Sequence, residues 1–461
     1  IDPSASGVVT AVSTANAING EQIIVTANEQ DTVTEDYVTL FSGLYYIENG
    51  SEEHITINQY SFTMPSADIT IYLETNAYRR LDDFTFSGNS ITDYTGSDTE
   101  LTLPAYYDTV TVDSQDYVVE KDTGTRITTI GSNAFNNCTG LTSVTIPSGV
   151  TSIGDSAFSS CSSLAAVTFV EGSQLESIGS NAFSDCSGLT EITLPSSLTS
   201  IGSWAFSGCS GLTKIYYQGT MDQWLNMTFE GRWTYWTPIN NNNTNLYIND
   251  KLVDEITINV DIPSYAFCGI DSITKVTLGE GVTSMGNGAF SDCTRLATVT
   301  FAEGSQLESI GDSAFNKCSA LRSIEIPASV TSIGSGAFFG CSRLTEITLP
   351  ARLRSIGRSA FSDCRGLRSI EIPASLTSIG DYAFQNCTSL ATVTIEGDYI
   401  YRDAKGTGNS NAGGLLANAE TVRVLTKIVE ENDNSYLENT ANFTTSTSDD
   451  GKYTVFTKVN Q

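Results

Sequence analysis

The sequence repeats one unit for most of its length, and this repetition limits the possible folds more than any other feature. Nearly two copies fill Ile153 to Ile192, which reads IGDSAFSSCSSLAAVTFVEGSQLESIGSNAFSDCSGLTEI. The shared phrase is I-G-x-x-A-F-x-x-C-x-x-L-x-x-V/I-x-I/L/F, and successive cysteines are 23 or 25 residues apart except for one gap of 59. A fixed period of roughly 20–50 residues is typical of solenoids and other repeat arrays.

A single unit cannot fold alone. Burying a large apolar side chain gains roughly 1.5–3 kcal/mol, and the unit from Ala157 to Ile178 has only eight apolar positions that belong to the repeat pattern. Ordering each residue of the backbone costs roughly 1–2 kcal/mol, so the sum becomes favourable only when units stack on both sides. We therefore predict a mainly β fold with short helical or 3₁₀ turns, in which a curved solenoid follows a small β domain.

Within a unit, the segment from Leu141 to Ile146 alternates apolar and polar residues, which predicts a short strand. Pro147 should end it, because proline has no N–H to donate to a ladder. We expect Ile153-Gly154 to form a tight turn with the glycine at positive φ. The Ala-Phe-x-x-Cys segment should form a brief helical or 3₁₀ turn on the opposite side, which leaves the strands on the concave face.

The regularity of the repeat divides the chain into six segments. Alternating strands precede the repeat, atypical units are expected at the ends of a solenoid, and the large cysteine gap marks an insert. We predict a small stalk-like β domain at 1–78, an N-terminal cap at 79–130, a first repeat block at 131–215, an aromatic-rich insert at 216–262, a second repeat block at 263–396 and a C-terminal cap at 397–461.

The charge of the chain excludes several kinds of partner. The 461 residues include 53 acidic and 23 basic ones, for a net charge of −30. Such a chain is unsuited to binding nucleic acid or an anionic membrane surface. It also contains no run of about 18 apolar residues, so we expect no membrane insertion.

The ten cysteines and the single histidine give no sign of catalysis or of a cofactor. We expect all ten cysteines at one repeat position, three residues after the phenylalanine, pointing inward in one column as small buried hydrophobes. Neighbouring coils could bring them within disulfide distance, but pairing is not needed. His54 lies far in sequence from any repeat cysteine, and no pair of carboxylates stands out, so we predict neither an enzyme nor a metal site.

The repeat resembles the leucine-rich repeats of the BspA-like type, also seen in treponemal surface proteins. Their pattern is close to L-x-x-I-x-L-P-x-x-L-x-x-I-G-x-x-A-F-x-x-C, and the match extends from Ile127 to Glu396. The resemblance implies a leucine-rich repeat solenoid from a bacterium, either secreted or on the cell surface. Some members of this family act as adhesins for host matrix proteins or for other microbes.

Two further stretches resemble known bacterial sequences. Ser61 to Ile71, SFTMPSADITI, is similar to the FTMP-AADVTV ending of small extracellular modules, which act as stalks or spacers on surface proteins. The segments YYQGT, DQW and LYINDKLV resemble an insert found between repeat blocks in the same leucine-rich repeat family.

The insert contains three of the four tryptophans, Trp224, Trp233 and Trp236. Two interpretations stand for them. They could form a private core that plugs the junction between the blocks, or they could be exposed and stack on sugars or anchor a partner.

The second block has an unusual local charge. Between Arg295 and Arg368 there are nine basic and six acidic residues, which gives a local charge of +3 in a chain of net −30. The candidate binding residues on its strands are Arg322, Glu325, Glu346, Arg368 and Glu371. They could form a solvated ladder of opposite charges, or a binding patch on the concave sheet.

Together these features predict a non-catalytic surface or secreted protein that mediates adhesion or recognition through its concave sheet. The partner expected is a host extracellular-matrix protein, another microbial surface protein or a glycan, and the protein itself is expected to be a monomer. The alternative is a passive spacer or surface-layer component without a specific ligand.

Overall fold

A computed structural model describes residues 9–12, 22–27, 32–34, 36–48, 55–56, 61–63, 69–234, 244–397, 421–425 and 443–458. The chain divides into two compact units. The first comprises residues 1–96 and 104–128, and the second comprises 97–103 and 129–461. The described residues are almost entirely β, with one short helix, as the sequence predicts. The six segment boundaries and the curvature of the stack stay predictions.

The first unit is built mainly from antiparallel strands. Its longest pair joins Tyr37–Glu48 to Ile69–Arg79, with a register shift between Phe41 and Gly43. A small core contains Val38, Val110, Val112 and Val119. Its strands are Val9–Val12, Gln22–Ala27, Thr32–Val33, Tyr37–Glu48, Ile55–Thr56, Ser61–Thr63, Ile69–Arg79, Phe84–Ser87, Ser90–Tyr94, Tyr106–Val112, Gln115–Val119 and Thr125–Arg126.

The second unit is a solenoid in which each coil contributes one longer strand, and these strands form what we call the long-strand face. The predicted strand is confirmed at Ser143–Ile146, which pairs in parallel with Ala166–Phe169. The last strands turn antiparallel, since Tyr453–Lys458 pairs with Thr421–Leu425. The strands of this face are Glu100–Thr102, Ser143–Ile146, Ala166–Phe169, Glu191–Leu194, Lys214–Tyr217, Asn245–Ile248, Lys251–Leu252, Glu255–Ile258, Lys275–Leu278, Thr298–Phe301, Ser323–Glu325, Glu346–Thr348, Ser369–Ile372, Thr392–Ile395, Thr421–Leu425, Phe443–Thr447 and Tyr453–Lys458.

A second set of parallel strands, each two residues long, forms another side of the coil. They end on the isoleucine, or its equivalent, of the Ile-Gly pair, and Ile153 pairs with both Ile130 and Ile178. The sequence predicts a turn at this pair, whereas the structure has a strand that ends on its isoleucine. These strands are Thr129–Ile130, Ser152–Ile153, Ser177–Ile178, Ser200–Ile201, Thr228–Phe229, Ser284–Met285, Ser309–Ile310, Ser332–Ile333, Ser355–Ile356 and Ser378–Ile379.

The glycine of the Ile-Gly pair has a different role from the predicted one. Gly154 does not have positive φ; the positive values occur at Ser156 (55°) and Ser160 (62°). A Cβ on Gly154 would lie 2.6 Å from the backbone nitrogen of Ser132 in the preceding coil. Glycine is therefore required here because the coils approach too closely for any side chain.

The Ala-Phe-x-x-Cys segment forms a run of hydrogen-bonded turns. The N–H of Cys161 donates to the carbonyl of Phe158 at 3.3 Å, an i to i+3 bond of the 3₁₀ kind. The N–H groups of Ser156, Phe158 and Ser160 instead donate to carbonyls of the following coil at 2.7–2.8 Å. The positive φ values at Ser156 and Ser160 interrupt the helical backbone, and the bonds to the next coil replace those of a helix, which explains why no continuous helix forms.

The core of the solenoid contains a ladder of phenylalanines. Adjacent rings stack with centroids 4.9–5.7 Å apart and planes within 17° of parallel. One series precedes the insert and a second follows it: Phe135, Phe158, Phe183 and Phe206, then Phe267, Phe290, Phe315, Phe338, Phe361 and Phe384.

The cysteines lie beside this ladder, and none of them forms a disulfide bond. Eight of the ten thiols donate to a phenylalanine carbonyl of the preceding coil, as Cys341 does to Phe315 at 3.2 Å. Burial raises the pKa of Cys209 and Cys341 to about 12, so both thiols stay protonated.

The expectation of ten equivalent cysteines is wrong at one place. Cys268 directly follows Phe267, and Ile270 takes the repeat position, with its N–H donating to the Phe267 carbonyl at 3.2 Å. Cys268 is nevertheless buried, because the position after the phenylalanine is also enclosed here.

Candidate recognition surface

The long-strand face presents rows of exposed side chains on a rigid support. In each strand the valine or isoleucine points into the core, whereas the residues before and after it point outward. The outward position after the valine or isoleucine is mostly threonine, with Tyr216 and Tyr247 in the insert and Glu325 and Glu371 in the second block. Because the strands pair in register, these side chains are held at about 4.8 Å from coil to coil.

The structure brings the candidate charged residues of the second block together on this face. The Thr345 N–H donates to the Arg322 carbonyl at 2.8 Å, and the Arg368 N–H donates to the Thr345 carbonyl at 3.4 Å. Arg322 and Arg368 therefore occupy one row, two coils apart. Glu346 pairs with Ser323 in the adjacent row, and all of these charged side chains are exposed.

The charges in this region do not form a ladder of ion pairs. Registered pairs do occur elsewhere on the face, since Lys214 lies 3.5 Å from Glu191 and Lys275 lies 3.2 Å from Glu255. Within the described ranges, Arg322 and Arg368 have no carboxylate oxygen within 4.0 Å. Their guanidinium groups keep their hydrogen-bonding capacity for another molecule.

Glu371 belongs to a separate cluster at the last coils. Burial, followed by the nearby Glu396 carboxylate, raises the pKa of Glu371 above its ordinary value. Glu396 accepts a hydrogen bond from the Tyr453 hydroxyl at 3.1 Å and lies 3.8 Å from the Lys452 ammonium. Because it belongs to this cluster, Glu371 is less available to a partner than Arg322 and Arg368.

Two of the three tryptophans of the insert are core residues. Trp224 and Trp233 have no exposed surface, so the hypothesis that they are exposed binding residues is wrong for both. Their indole N–H groups donate to the carbonyls of Ala266 and Tyr265, each at 3.0 Å. They supply donors to the first coil of the second block, where the regular repeat is interrupted. Trp236 lies outside the described residues.

The helix Met221–Leu225 positions Trp224 within this insert. Thr220 caps it by accepting the Gln223 N–H at 3.2 Å, and the Gln223 side chain accepts the Thr220 N–H at 2.9 Å. This reciprocal capping box stabilises a helix that is otherwise too short to persist.

Among the described residues, Tyr216 and Tyr247 bring a pair of aromatic rings to the long-strand face. Their rings stack with centroids 4.8 Å apart and planes at 24°, and both residues are half-buried. The adjacent Tyr216, and then Glu191, raise the pKa of Lys214. The alternation within Lys214–Tyr217 and Asn245–Ile248 would have predicted this placement, because the inward residues are apolar.

The part of the chain that the structure describes contains no group of three or more His, Cys, Asp or Glu residues able to hold a metal ion. It also contains no helix long and apolar enough to cross a membrane. His54 lies outside the described residues.

Comparison with known proteins identifies the repeat. A family model described as a BspA type leucine rich repeat region matches in six copies, over residues 120–235 and 260–391. No curated protein matches the chain.

Several solved structures are similar to the chain. A leucine-rich cell surface protein from Faecalibacterium prausnitzii is 28% identical, with a TM-score of 0.42, over 69% of this chain and 87% of that protein. The pneumococcal vaccine antigen PcpA is 20% identical, with a TM-score of 0.49, over 79% of this chain and 94% of that protein. A leucine-rich repeat protein of Treponema pallidum is 23% identical, with a TM-score of 0.31, over 52% of this chain and 88% of that protein.

Proposed function

This chain belongs to the BspA-type leucine-rich repeat family, and from that premise we propose that it is a non-catalytic bacterial surface or secreted protein that recognises another protein through its long-strand face. The observation that carries the proposal is the pair Arg322 and Arg368, which share one row and have no ion-pair partner among the described residues.

The support beneath these arginines favours binding. Ile324, Ile347 and Ile370 are buried below the strands, so the backbone that positions the arginines is fixed before any partner arrives. A preorganised surface loses less conformational entropy on association. Arginine is also enriched among the residues that dominate protein–protein binding energies.

The charge pattern favours a protein partner carrying both signs of charge. Arg322 and Arg368 can each bind a carboxylate with two parallel hydrogen bonds, whereas the exposed carboxylates of Glu325 and Glu346 accept from basic or amide groups. A uniformly negative partner would be repelled by these acids and by the net charge of −30. Electrostatic complementarity of this kind mainly sets orientation and association rate. The partners we propose are host extracellular-matrix proteins or surface proteins of other microbes.

Reversing the charge of Arg322 and Arg368 together tests this function. We expect Arg322→Glu with Arg368→Glu to lower affinity for a bound matrix or microbial protein by at least about tenfold, because two contacts at the centre of an interface are lost. The measurement is binding of the full chain to an array of extracellular-matrix proteins and glycans, followed by titration of each hit.

The matched control is Arg354→Glu with Arg358→Glu. These arginines are in the same block and give the same change of charge, but Arg354 directly precedes the two-residue strand Ser355–Ile356 and Arg358 lies over the Tyr382 ring. Binding should be unchanged in the control. Equal losses in both double variants would point to nonspecific electrostatics and contradict the proposed face, and no binding to any array member would favour the passive spacer.

A further inference from the structure

Trp204 has 50% of its surface exposed, the largest fraction for a large apolar residue in the described ranges. It lies outside the long-strand face, in the turn segment that leads into Ala205 and Phe206. Those two residues are buried and complete the core of this coil. The indole is therefore not needed to fill the interior.

The backbone at Trp204 also disfavours a tryptophan. Its φ is +59°, a left-handed conformation that bulky residues rarely adopt. The conformation is imposed by the coil, because the Trp204 N–H donates to the Arg232 carbonyl of the next coil at 2.9 Å. At the same position the other coils mostly have residues that tolerate positive φ or are small: Asn133, Ser156, Asn181, Gly288, Ser313, Gly336 and Ser359.

Two tyrosines share this position, but their rings have contacts within the protein. Tyr265 is half-buried, and its ring lies against Gly288 of the next coil. A Cβ on Gly288 would be only 2.4 Å from the Cδ1 atom of this ring. Tyr382 has the Arg358 guanidinium 5.6 Å above its ring. At Trp204 both conformation and packing argue against an aromatic residue, and an outlier of this kind points to a functional role.

The surroundings of Trp204 are polar. In the preceding coil Asn181 occupies the same position, and its N–H donates to the Ser203 carbonyl at 2.9 Å. The side-chain amide of Asn181 has no hydrogen-bond partner among the described residues. Arg232 is engaged, since it lies 3.6 Å from Asp292. The exposed indole, at the repeat position that Asn181 holds one coil earlier, lacks the tightly packed surround that protein anchors require.

We propose that Trp204 and Asn181 form a binding site for a neutral saccharide. The apolar C–H face of a pyranose packs against the indole, and the Asn181 amide, with two donors and one acceptor oxygen, pairs with ring hydroxyls. The site is separate from the long-strand face, so it stands independently of the function proposed above.

The test measures saccharide binding and stability on the same variants. The full chain is titrated calorimetrically with chitohexaose, cellohexaose, mannohexaose and maltohexaose, before and after Trp204→Asn and Asn181→Ala. We expect at least one saccharide to bind and Trp204→Asn to weaken its affinity at least about tenfold. The same variant should unfold at an equal or higher temperature, because asparagine tolerates positive φ.

The control is Tyr382→Asn, which makes a similar replacement at the same repeat position and should leave saccharide affinity unchanged. A lower unfolding temperature for Trp204→Asn would show that the indole is structural and would overturn the proposal. It would also fail if no saccharide bound, if Trp204→Asn bound normally, or if Tyr382→Asn lost binding to the same extent.

Discussion

Gly357→Ala is expected to lower the free energy of unfolding by about 3 kcal/mol or more, the upper range for overpacking a well-packed interior. The added Cβ would lie 2.5 Å from the Ser335 nitrogen and 2.6 Å from the Gly334 carbonyl carbon. Both atoms belong to the backbone of the preceding coil, so no side chain can rotate away. The coils must separate locally, which strains the hydrogen bond from the Gly357 N–H to the Ile333 carbonyl at 2.8 Å. Chemical denaturation followed by circular dichroism measures the loss.

Gly140→Ala is the matched control for this substitution. A Cβ on Gly140 would meet no atom within 4 Å, and its φ is not positive. We expect its stability to stay within about 0.5 kcal/mol of the parent chain, as for most surface changes. If both alanine substitutions have the same effect, the close approach of the coils at Gly357 is not what selects glycine.

Phe338→Ala is expected to cost about 3–5 kcal/mol of unfolding free energy. Phe338 is fully buried. Its ring stacks between Phe315 at 5.4 Å and Phe361 at 5.3 Å. Removing it leaves a cavity in the middle of the ladder, where the hydrogen bonds on both sides resist collapse. Denaturation measures the loss, and hydrogen exchange should place it in the coils that contain Phe315 and Phe361.

The neighbouring Phe339 supplies the control. It is only half-buried, and the equivalent position in other coils is held by Ser291, Asn316 and Ser362. We expect Phe339→Ala to cost no more than about 1 kcal/mol. A loss as large as that of Phe338→Ala would mean that the stacked ring contributes little beyond ordinary hydrophobic burial.

Features that depend on the spacing of residues along the chain could be predicted from the sequence. Alternation from Leu141 to Ile146 predicts the strand, because side chains on a strand alternate between its two faces. The same alternation places Glu325 and Glu371 on the outside, whereas Arg322 and Arg368 precede the strands and the strand period does not fix their orientation. The two-residue strands lacked a comparable signal, since two residues are too few to define a period.

Features that depend on contacts between coils could not be predicted. The glycine that recurs after the repeat isoleucine fits either a positive φ or a close approach between neighbouring coils. Only the position of the Ser132 backbone beside Gly154 decides between the two explanations. The sequence left open whether Trp224 and Trp233 form a private core or lie exposed. They are buried, and their indole N–H groups donate to the carbonyls of Ala266 and Tyr265 in the next coil.

The reactivity of the cysteine thiols in the native protein tests the stacked-coil account most directly. Nine of the ten cysteines are buried, Cys138 is partly exposed, and none forms a disulfide bond. With DTNB at neutral pH we therefore predict that only Cys138 reacts readily. All ten should react once guanidinium chloride unfolds the chain, without prior reduction. Rapid native reaction of several other thiols, or fewer than ten free thiols after unfolding, would contradict a solenoid with a closed thiol column.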